Sequence, residues 1–590
     1  MAHNPLNPLA VTTGQPVKRV QRVWEIRPTA PDSFLTAIEN AGYSRLVGQL
    51  LYNREVTTPE QIEYFFKADY RNLADPFLIK DMDKAVMRIK AALSAEETIA
   101  IYGDFDADGV TACSLLMQFF KALGANVIPR IPHRVDEGYG LNPSALGRLG
   151  EQGVTLVITV DCGISNFQEV AFAAKLGIDI IITDHHRPPE ILPAACAILN
   201  VRQPGDDYPY KGMAGVGVAF HLVRALTQAG VKPAGNILRP SDLLDLVALG
   251  TVADIAPMTG ENRVLVAAGL KAINRTARPG IVALIEAAGL KQGSLDTSSI
   301  GFSLAPRINA AGRIDDAIIA YELLLTEDLE RARELASELS TKNKERQQRL
   351  SEVLGEARAR VYAGNLHELH KLMVLSGQEW PAGIVGLVAG RLCEEFNRPV
   401  LVLEEGAETS KGSARSTPYF NIIEALSECN DLLLRYGGHK QAAGFTVETA
   451  RLPEFTQRLQ ALAIERLSEA MLVPQLYIDA ELSLEQLPVA FRESNRLVPF
   501  GSENPAPVFV TKNLLVREMR PVGVDGAHLR LRLFDRHNGR IAEAIGFREG
   551  ARAAELAGAK FVDIAYTIEL NEWQGNRSLQ LRLCDLRPSQ

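Results

Sequence analysis

Three aspartates at alternate positions, Asp104, Asp106 and Asp108 in "YGDFDADG", follow the apolar run "TIAIY". Carboxylates this close repel one another, and holding them together is costly unless a cation sits between them. If the backbone stays extended, a period of two turns all three to one side. Two further apolar runs end in the same way. "LVITVDCG" ends in Asp161, and "DIIITDHH" ends in Asp184, His185 and His186. A later stretch, "LVALGTVADIAP", places Asp254 just beyond another apolar run. Oxygen-rich ligation with one or two imidazoles suits Mn2+ or Mg2+, whereas zinc favours Cys/His sets. Several carboxylates point to a dinuclear centre, in which two cations ~3.5–4 Å apart neutralise a phosphate during in-line displacement. The chemistry expected is metal-assisted hydrolysis of a phosphate ester or anhydride. For single members other roles stay open. An acidic strand end commonly caps the next helix, His186 suits a core or supporting position, and Asp184 suits orienting its neighbours.

These residues need a frame that brings them together. From 97 to about 260, short apolar runs ("TIAIYG", "NVIPRIP", "LVITVD", "DIIITDHH", "CAILN") alternate with helical patterns such as "GVTACSLLMQFFKALG" and "NFQEVAFAAKLG". Repeated strand–helix alternation predicts a parallel sheet covered by helices, with ligands at the carboxyl ends of its strands. Residues 327–361 are charged and helical throughout, with Gly355 as the one strong breaker, which predicts a long solvated connecting helix. "KLMVLSG" and "PVLVLEE" flank the helical "AGIVGLVAGRLCEEF", a second, smaller α/β domain ending near 466. From about 472 short strands follow one another at turn-separated spacing, most simply a small barrel. Within it "AHLRLRLF" alternates Arg530 and Arg532 with leucines, one basic face and one core face.

Composition sets outer bounds. With 590 residues, 46% hydrophobic and 23% charged, the sequence reads as several globular domains. A net charge of -8 gives no global signature of nucleic-acid binding, although a local basic groove can sit on an acidic protein. Six cysteines without a CxxC pair argue against a disulfide framework or zinc site and fit a reducing cytoplasm. No apolar leader or membrane span is expected.

The motifs "TDHH", "DFDADG" and "VDCGIS" resemble the DHH phosphoesterase superfamily. Together with "GYGLN", "AGVGVAFHLVRAL", "PRINAAGR", "GSARS", "GGHKQAAG" and "PFGSENPAPVF", they resemble its RecJ family. The resemblance implies an α/β chain with five parts. Residues 1–79 form a tail and helical extension, 80–326 a DHH catalytic domain, 327–366 a connecting helix, 367–466 a DHHA1 domain, and 472–590 an OB-like module. It implies two Mn2+ or Mg2+ ions on Asp106, Asp108, Asp161, His185 and Asp254, with Asp161 bridging and Asp104 as a further ligand or support. His186 would contact the scissile phosphate or leaving group, Asp184 would hold the histidine pair, and His439 would reach the scissile region. Ser413 and Arg415, with Gly437 and Gly438 nearby, would bind the terminal 5′-phosphate or adjacent backbone. Arg134, Arg307, Asn309 and Arg313 would assist from the first domain.

The implied activity is 5′→3′ exonuclease action on single-stranded DNA in recombination and repair. Implied partners are a single-strand binding protein and a recombination helicase, with no membrane association and a monomeric state. Two other readings are weighed beside it. One is hydrolysis of short oligonucleotides or cyclic dinucleotides, and the other is a non-catalytic scaffold that binds DNA or replication proteins.

Overall fold

The computed structural model describes residues 22–133, 137–314, 317–573 and 576–589. Two compact units account for them, one of Val56–Lys344 with Leu497–Ala506, the other of residues 22–55 with Glu345–Arg496 and residues 507–589. The segment expected as one leading extension therefore divides after Glu55. The first described strand, β1 (Val23–Ile26), belongs to the second unit, where it pairs in parallel with β12 (Gln475–Ile478). Trp24 Nε1 fastens this pairing by donating to Asp585 Oδ2 at 2.8 Å.

In the first unit five strands form one parallel sheet: β2 (Thr98–Gly103), β3 (Val127–Arg130), β4 (Val154–Val160), β5 (Asp179–Thr183) and β6 (Ala197–Leu199). Their order is β3-β2-β4-β5-β6. Near-continuous Ile/Val runs are what a parallel sheet buried on both faces requires. Alternate residues divide between two cores: Ile99, Ile101, Ile158 and Ile181 pack on one face, Ala100, Tyr102, Val157 and Ile182 on the other. The helix Ala107–Ala122 is buried almost all round and closes at Leu123 before Gly124, whose φ is +74°. With β2 and β4 central in the sheet, the segments after them lie side by side at its carboxyl edge.

The helix Leu329–Ala363 runs unbroken through Gly355, and the division between the units falls within it. Beyond it lies a sheet of β7 (Met373–Gly377), β8 (Val400–Glu404), β9 (Thr409–Arg415), β10 (Leu433–Gly438) and β11 (Ala442–Glu448), in the order β10-β11-β9-β8-β7. Only the β7–β8 pairing is parallel. The last module contains β13 (Ala480–Glu481), β14 (Phe509–Val522), β15 (His528–Phe534), β16 (Ile541–Gly546), β17 (Phe561–Trp573) and β18 (Asn576–Pro588). Its sheet closes on itself as β14-β15-β16-β18-β17, with β17 pairing back to β14, which makes a five-stranded barrel.

Candidate metal centre

The three aspartates converge, but not along an extended strand. β2 ends at Gly103, and Asp106 is already the N-cap of the next helix. Its Oδ1 accepts from Asp108 N at 2.9 Å and Gly109 N at 3.1 Å. Asp108 lies in the first turn, so the change from strand to helix, not a period of two, gathers the carboxylates. Gly109 makes the close turn possible, since a Cβ there would sit 2.6 Å from the Asp104 backbone. Asn309, on the helix Ala305–Ile314, stabilises the same turn by accepting from Ala107 N at 2.8 Å.

Ligand atoms of Asp104, Asp106 and Asp161 lie within 4.8 Å of one another, as do those of Asp161, His185 and His186, and those of Asp108, His185 and Asp254. The three groups share Asp161 and His185, so they form one continuous centre. Asp161 sits at the end of β4 with φ 61°, a left-handed conformation uncommon outside glycine and typical of functional sites. Asp254 caps the buried helix Leu244–Ala253 at its carboxyl end.

Asp184 does something different. Its Oδ1 accepts from His185 N (2.8 Å), His186 N (3.1 Å) and His186 Nδ1 (2.8 Å), and its Oδ2 accepts from Ile164 N at 3.0 Å. A fully buried carboxylate with both oxygens engaged is an orienting group, and it fixes the His186 imidazole and the His185 backbone. The proton of the Asp184–His186 bond lies at Nδ1.

Electrostatics report a cluster built for cations. Burial, then the charge of Asp106, raises Asp108 to about 7. Burial, then Asp108 and Asp106, raises Asp254 to about 8, and Asp161 is pushed well above the carboxylate range for the same reasons. Burial and the charge of His186 hold His185 down at about 3, the neutral form that a metal ligand needs. For His186, burial opposes protonation, but the Asp184 hydrogen bond and nearby carboxylates outweigh it and carry the group to about 9. Asp161 Oδ1 and His185 Nε2 face each other at 3.0 Å, buried and without a hydrogen bond. Orphaned polar atoms among converging carboxylates fit divalent cations.

Three features escaped the sequence reading. First, Asp108 accepts from Gly215 N (2.6 Å) and Val216 N (2.9 Å), the amino end of the helix Gly215–Gln228. That end brings two N–H donors and a favourable dipole to the acidic cluster. Gly215 allows the approach, because a Cβ there would lie 2.7 Å from Asp161 Cβ. Second, the buried Asn262 Nδ2 donates to Gly212 O (2.7 Å) and Pro257 O (3.0 Å), tying the loop before that helix to the loop after Asp254. Third, Tyr139 OH donates to Asp161 O at 3.1 Å and stands 3.1 Å from His186 Nδ1. "AGVGV" and "GYGLN" were visible as motifs, yet only the fold reveals what they touch.

The other expected contacts fall as follows. Arg307 Nε donates to Ser340 Oγ at 3.1 Å and its Nη1 to Ser303 O at 2.7 Å, so its side chain turns toward the long helix. Arg134 and the Arg313 side chain lie outside the described residues. In the second unit Arg415 Nη1 donates to Ser413 Oγ at 2.9 Å, both on β9. Gly437 and Gly438 end β10, and His439 follows on an exposed turn where its N–H donates to Ala442 O at 2.8 Å. On the barrel the leucines of β15 are buried and Arg532 is exposed, as expected. The outer face is mixed in charge, because Arg530 pairs with Glu543 at 2.9 Å.

Comparison with known proteins gives three successive matches: "DHH family, N-terminal domain" over residues 98–251, "DHHA1 domain" over 369–465 and "RecJ OB domain" over 478–585. The chain is 38% identical to the single-stranded-DNA-specific exonuclease RecJ of Bacillus subtilis (strain 168), across 96% of this chain and 71% of that one. It is 37% identical to the RecJ of Salmonella typhimurium, across 86% and 91%. The crystal structure of RecJ in complex with Mn2+ from Thermus thermophilus superposes with a TM-score of 0.81 at 32% identity, covering 96% of this chain and 80% of that one. The Mg2+ complex of the same protein gives a TM-score of 0.74 at 30% identity, covering 96% and 78%.

Proposed function

The chain belongs to the RecJ family of single-stranded-DNA-specific exonucleases, and from that membership we propose that it degrades single-stranded DNA by hydrolysing phosphodiester bonds. The reading extends to 5′→3′ direction, release of 5′-mononucleotides, and a place in recombination and repair. One observation carries it: the carboxylates and imidazoles of three strand ends and one helix end form a single buried centre. Among the described residues no helix is long and apolar enough to cross a membrane.

In this reading Asp106, Asp108, Asp161, His185 and Asp254 would hold two divalent cations, Mn2+ or Mg2+, with Asp104 as a further ligand or support. When bound, the pair neutralises phosphate charge and lowers the pKa of water. The residues do the rest. Asp184 keeps His186 oriented and protonated at Nδ1, so an imidazolium faces the phosphate or leaving oxygen. The Gly215–Gln228 helix keeps Asp108 in one rotamer before any cation arrives. In the second unit Ser413 and Arg415 offer a hydroxyl and a guanidinium fork to a terminal 5′-phosphate. Gly437 and Gly438 of β10 would leave room for backbone approach. By motif, Arg134, Asn309 and Arg313 would assist from the first unit. The family also suggests a single-strand binding protein and a recombination helicase as partners, and a monomeric enzyme in a cytoplasmic setting.

The test is turnover of a 5′-phosphorylated single-stranded oligonucleotide by wild type and Asp161→Ala, with Mn2+ present or chelated. Metal-dependent release of mononucleotides, falling ~10³-fold or more (about 4 kcal/mol) in the variant, is the expected result. A bound but intact strand with the metal-loaded wild type would overturn the proposal.

A further inference from the structure

Two exposed apolar side chains stand beside the metal centre in conformations that folding alone does not favour. Ile255, directly after the ligand Asp254, is 73% exposed and has φ 60°. A β-branched residue there is a genuine outlier, whereas Asn or Gly would sit without strain. Phe302 is 66% exposed within a π-helical turn, Ile300–Leu304, whose other large side chains are buried. Such turns are rare and concentrate at functional sites.

The two positions belong to one corner of the first unit. A Cβ on Gly301 would lie 3.7 Å from Val252 Cγ1, and Val252 is two residues before Asp254. On the same face as Phe302, four and seven residues on, stand the half-buried Pro306 and Asn309, and the Asn309 side chain touches the aspartate turn at Ala107 N. At ~1.5 Å of rise per residue, Phe302 stands about 10 Å along the helix from that contact. This is a reach of about three nucleotides at the ~3.4 Å spacing of a stacked strand.

Both stretches are held from behind by residues 497–506. Met258 N donates to Ser502 O at 2.7 Å, and Thr297 Oγ1 donates to Phe500 O at 2.7 Å. Arg263 Nη1 donates to Leu497 O at 2.7 Å and to Pro499 O at 3.2 Å, which anchors the support in turn. Strain persists only where the surroundings over-determine it, and here they do.

We propose that Phe302 and Ile255 form an apolar wedge for the nucleobases of the strand in the metal centre. Phe302 stacks on a base a few nucleotides from the scissile phosphate, and Ile255 packs against the nucleoside beside Asp254. The inference rests on the nuclease reading above and names the part of the substrate that this corner takes. A base fits because it needs one flat side chain and adjoins the phosphate that the centre binds. A protein partner needs an interface of about 1,000 Å² or more. Stacking on an exposed aromatic is also tolerant of sequence, which suits an enzyme that consumes any strand.

The experiment uses the full chain and 5′-phosphorylated single strands carrying one abasic site, moved stepwise through the first six positions. Wild type, Phe302→Ala, Phe302→Tyr and Ile255→Asn are compared. The wild type slows when the abasic site reaches the stacked position. Phe302→Ala raises KM on the intact strand roughly 5- to 150-fold, the range of one lost base stack, and flattens the abasic profile. Phe302→Tyr restores both. Ile255→Asn relieves the backbone and raises the thermal midpoint while raising KM, with Mn2+ affinity unchanged, a combination that a purely structural role does not give. Wild-type KM and an unchanged abasic profile in Phe302→Ala would overturn the wedge. Fluorescence of a strand carrying 2-aminopurine at each position, read without metal, separates the two ideas. Quenching lost in Phe302→Ala supports the wedge whether or not the strand is cut, and quenching retained in that variant refutes it. Failure of the wild type to cut at all counts against the nuclease reading alone.

Discussion

The carboxyl edge of the parallel sheet and the strands of the second unit carry different kinds of residue. At the sheet edge Asp104, Asp108, Asp161, Asp184 and His185 are buried, and helix ends, glycines and buried amides hold them from several sides. On β10 and its following turn, Arg435, Tyr436, Gly437, Gly438 and His439 are exposed, and on β15 the arginines face solvent or pair with glutamates. Holding like charges together needs a rigid, dehydrated frame that is in place before any cation binds. Contact with a moving strand needs accessible groups with modest individual strength. The contrast predicts large, concentrated effects in the first region and small, distributed ones in the second.

The sharpest break of that contrast is Gly215→Ala. The added methyl would meet Asp161 Cβ at 2.7 Å and disturb the N–H pair that fixes Asp108. Mn2+ affinity, measured by calorimetry on chelator-treated protein, is expected to fall roughly 10- to 100-fold, the usual penalty for a group that orients ligands. Far-ultraviolet circular dichroism should remain that of the wild type. Unchanged metal affinity would mean that the helix end packs against the centre without organising it.

How much of this was legible follows the same division. The α/β alternation, the convergence of the strand-end carboxylates and a small closing barrel could be read from apolar runs, strand-end acids and motif resemblance. Such signals are local in sequence. Asp106 as N-cap was legible in kind, but the period-two argument was wrong because the chain leaves the strand one residue before Asp104. Gly215, Asn262 and Tyr139 act across long stretches of chain, and nothing in their neighbours' spacing says which backbone groups they will meet. The pairing of β1 with β12 was invisible for that reason, since two short strands some 450 positions apart carry no shared pattern. Arg307 shows the converse. Its motif marked it as a helper on the strand path, while packing directs its side chain to Ser303 and Ser340.

The proton balance of the sheet edge supplies the next test. Asp108 and Asp254, at about 7 and about 8, stand above the ~3.9 of an unfolded aspartate. A carboxyl whose folded pKa is raised favours the folded state at low pH, and that contribution is lost as pH rises through the folded value. Metal-free protein is therefore expected to lose stability as pH rises from about 4, the unfolded value, to about 8, and to level off above it. Cations bind the ionised form, so their affinity rises over the same window by about tenfold per pH unit for each proton displaced. The gap between loaded and chelated thermal midpoints should widen with pH. Calorimetry in buffers of different ionisation enthalpy should count protons released at pH 7 and fewer at pH 9. A gap that stays constant with pH would mean that the carboxylates are already ionised without metal.

The smallest effect belongs to the barrel and tests whether its outer face lies on the strand path. Arg532 is exposed on β15, opposite Glu543 on one neighbouring strand and Glu518 on the other, while Arg530 is already paired to Glu543 at 2.9 Å. A guanidinium shared with a carboxylate releases little when it meets a phosphate, so the two arginines should differ. Arg532→Ala is expected to lower the slope of log affinity against log salt by ~0.7, the value for one phosphate contact on a single strand. Its kcat at saturating substrate should stay unchanged, because the substitution leaves the metal centre intact. Arg530→Ala should change the slope less, and Glu543→Gln should increase it by freeing Arg530. Binding titrations of a long oligonucleotide at three or more salt concentrations distinguish these outcomes. Equal slopes in all three variants would take this face off the path and leave the grip to the first unit and the glycine-rich strands.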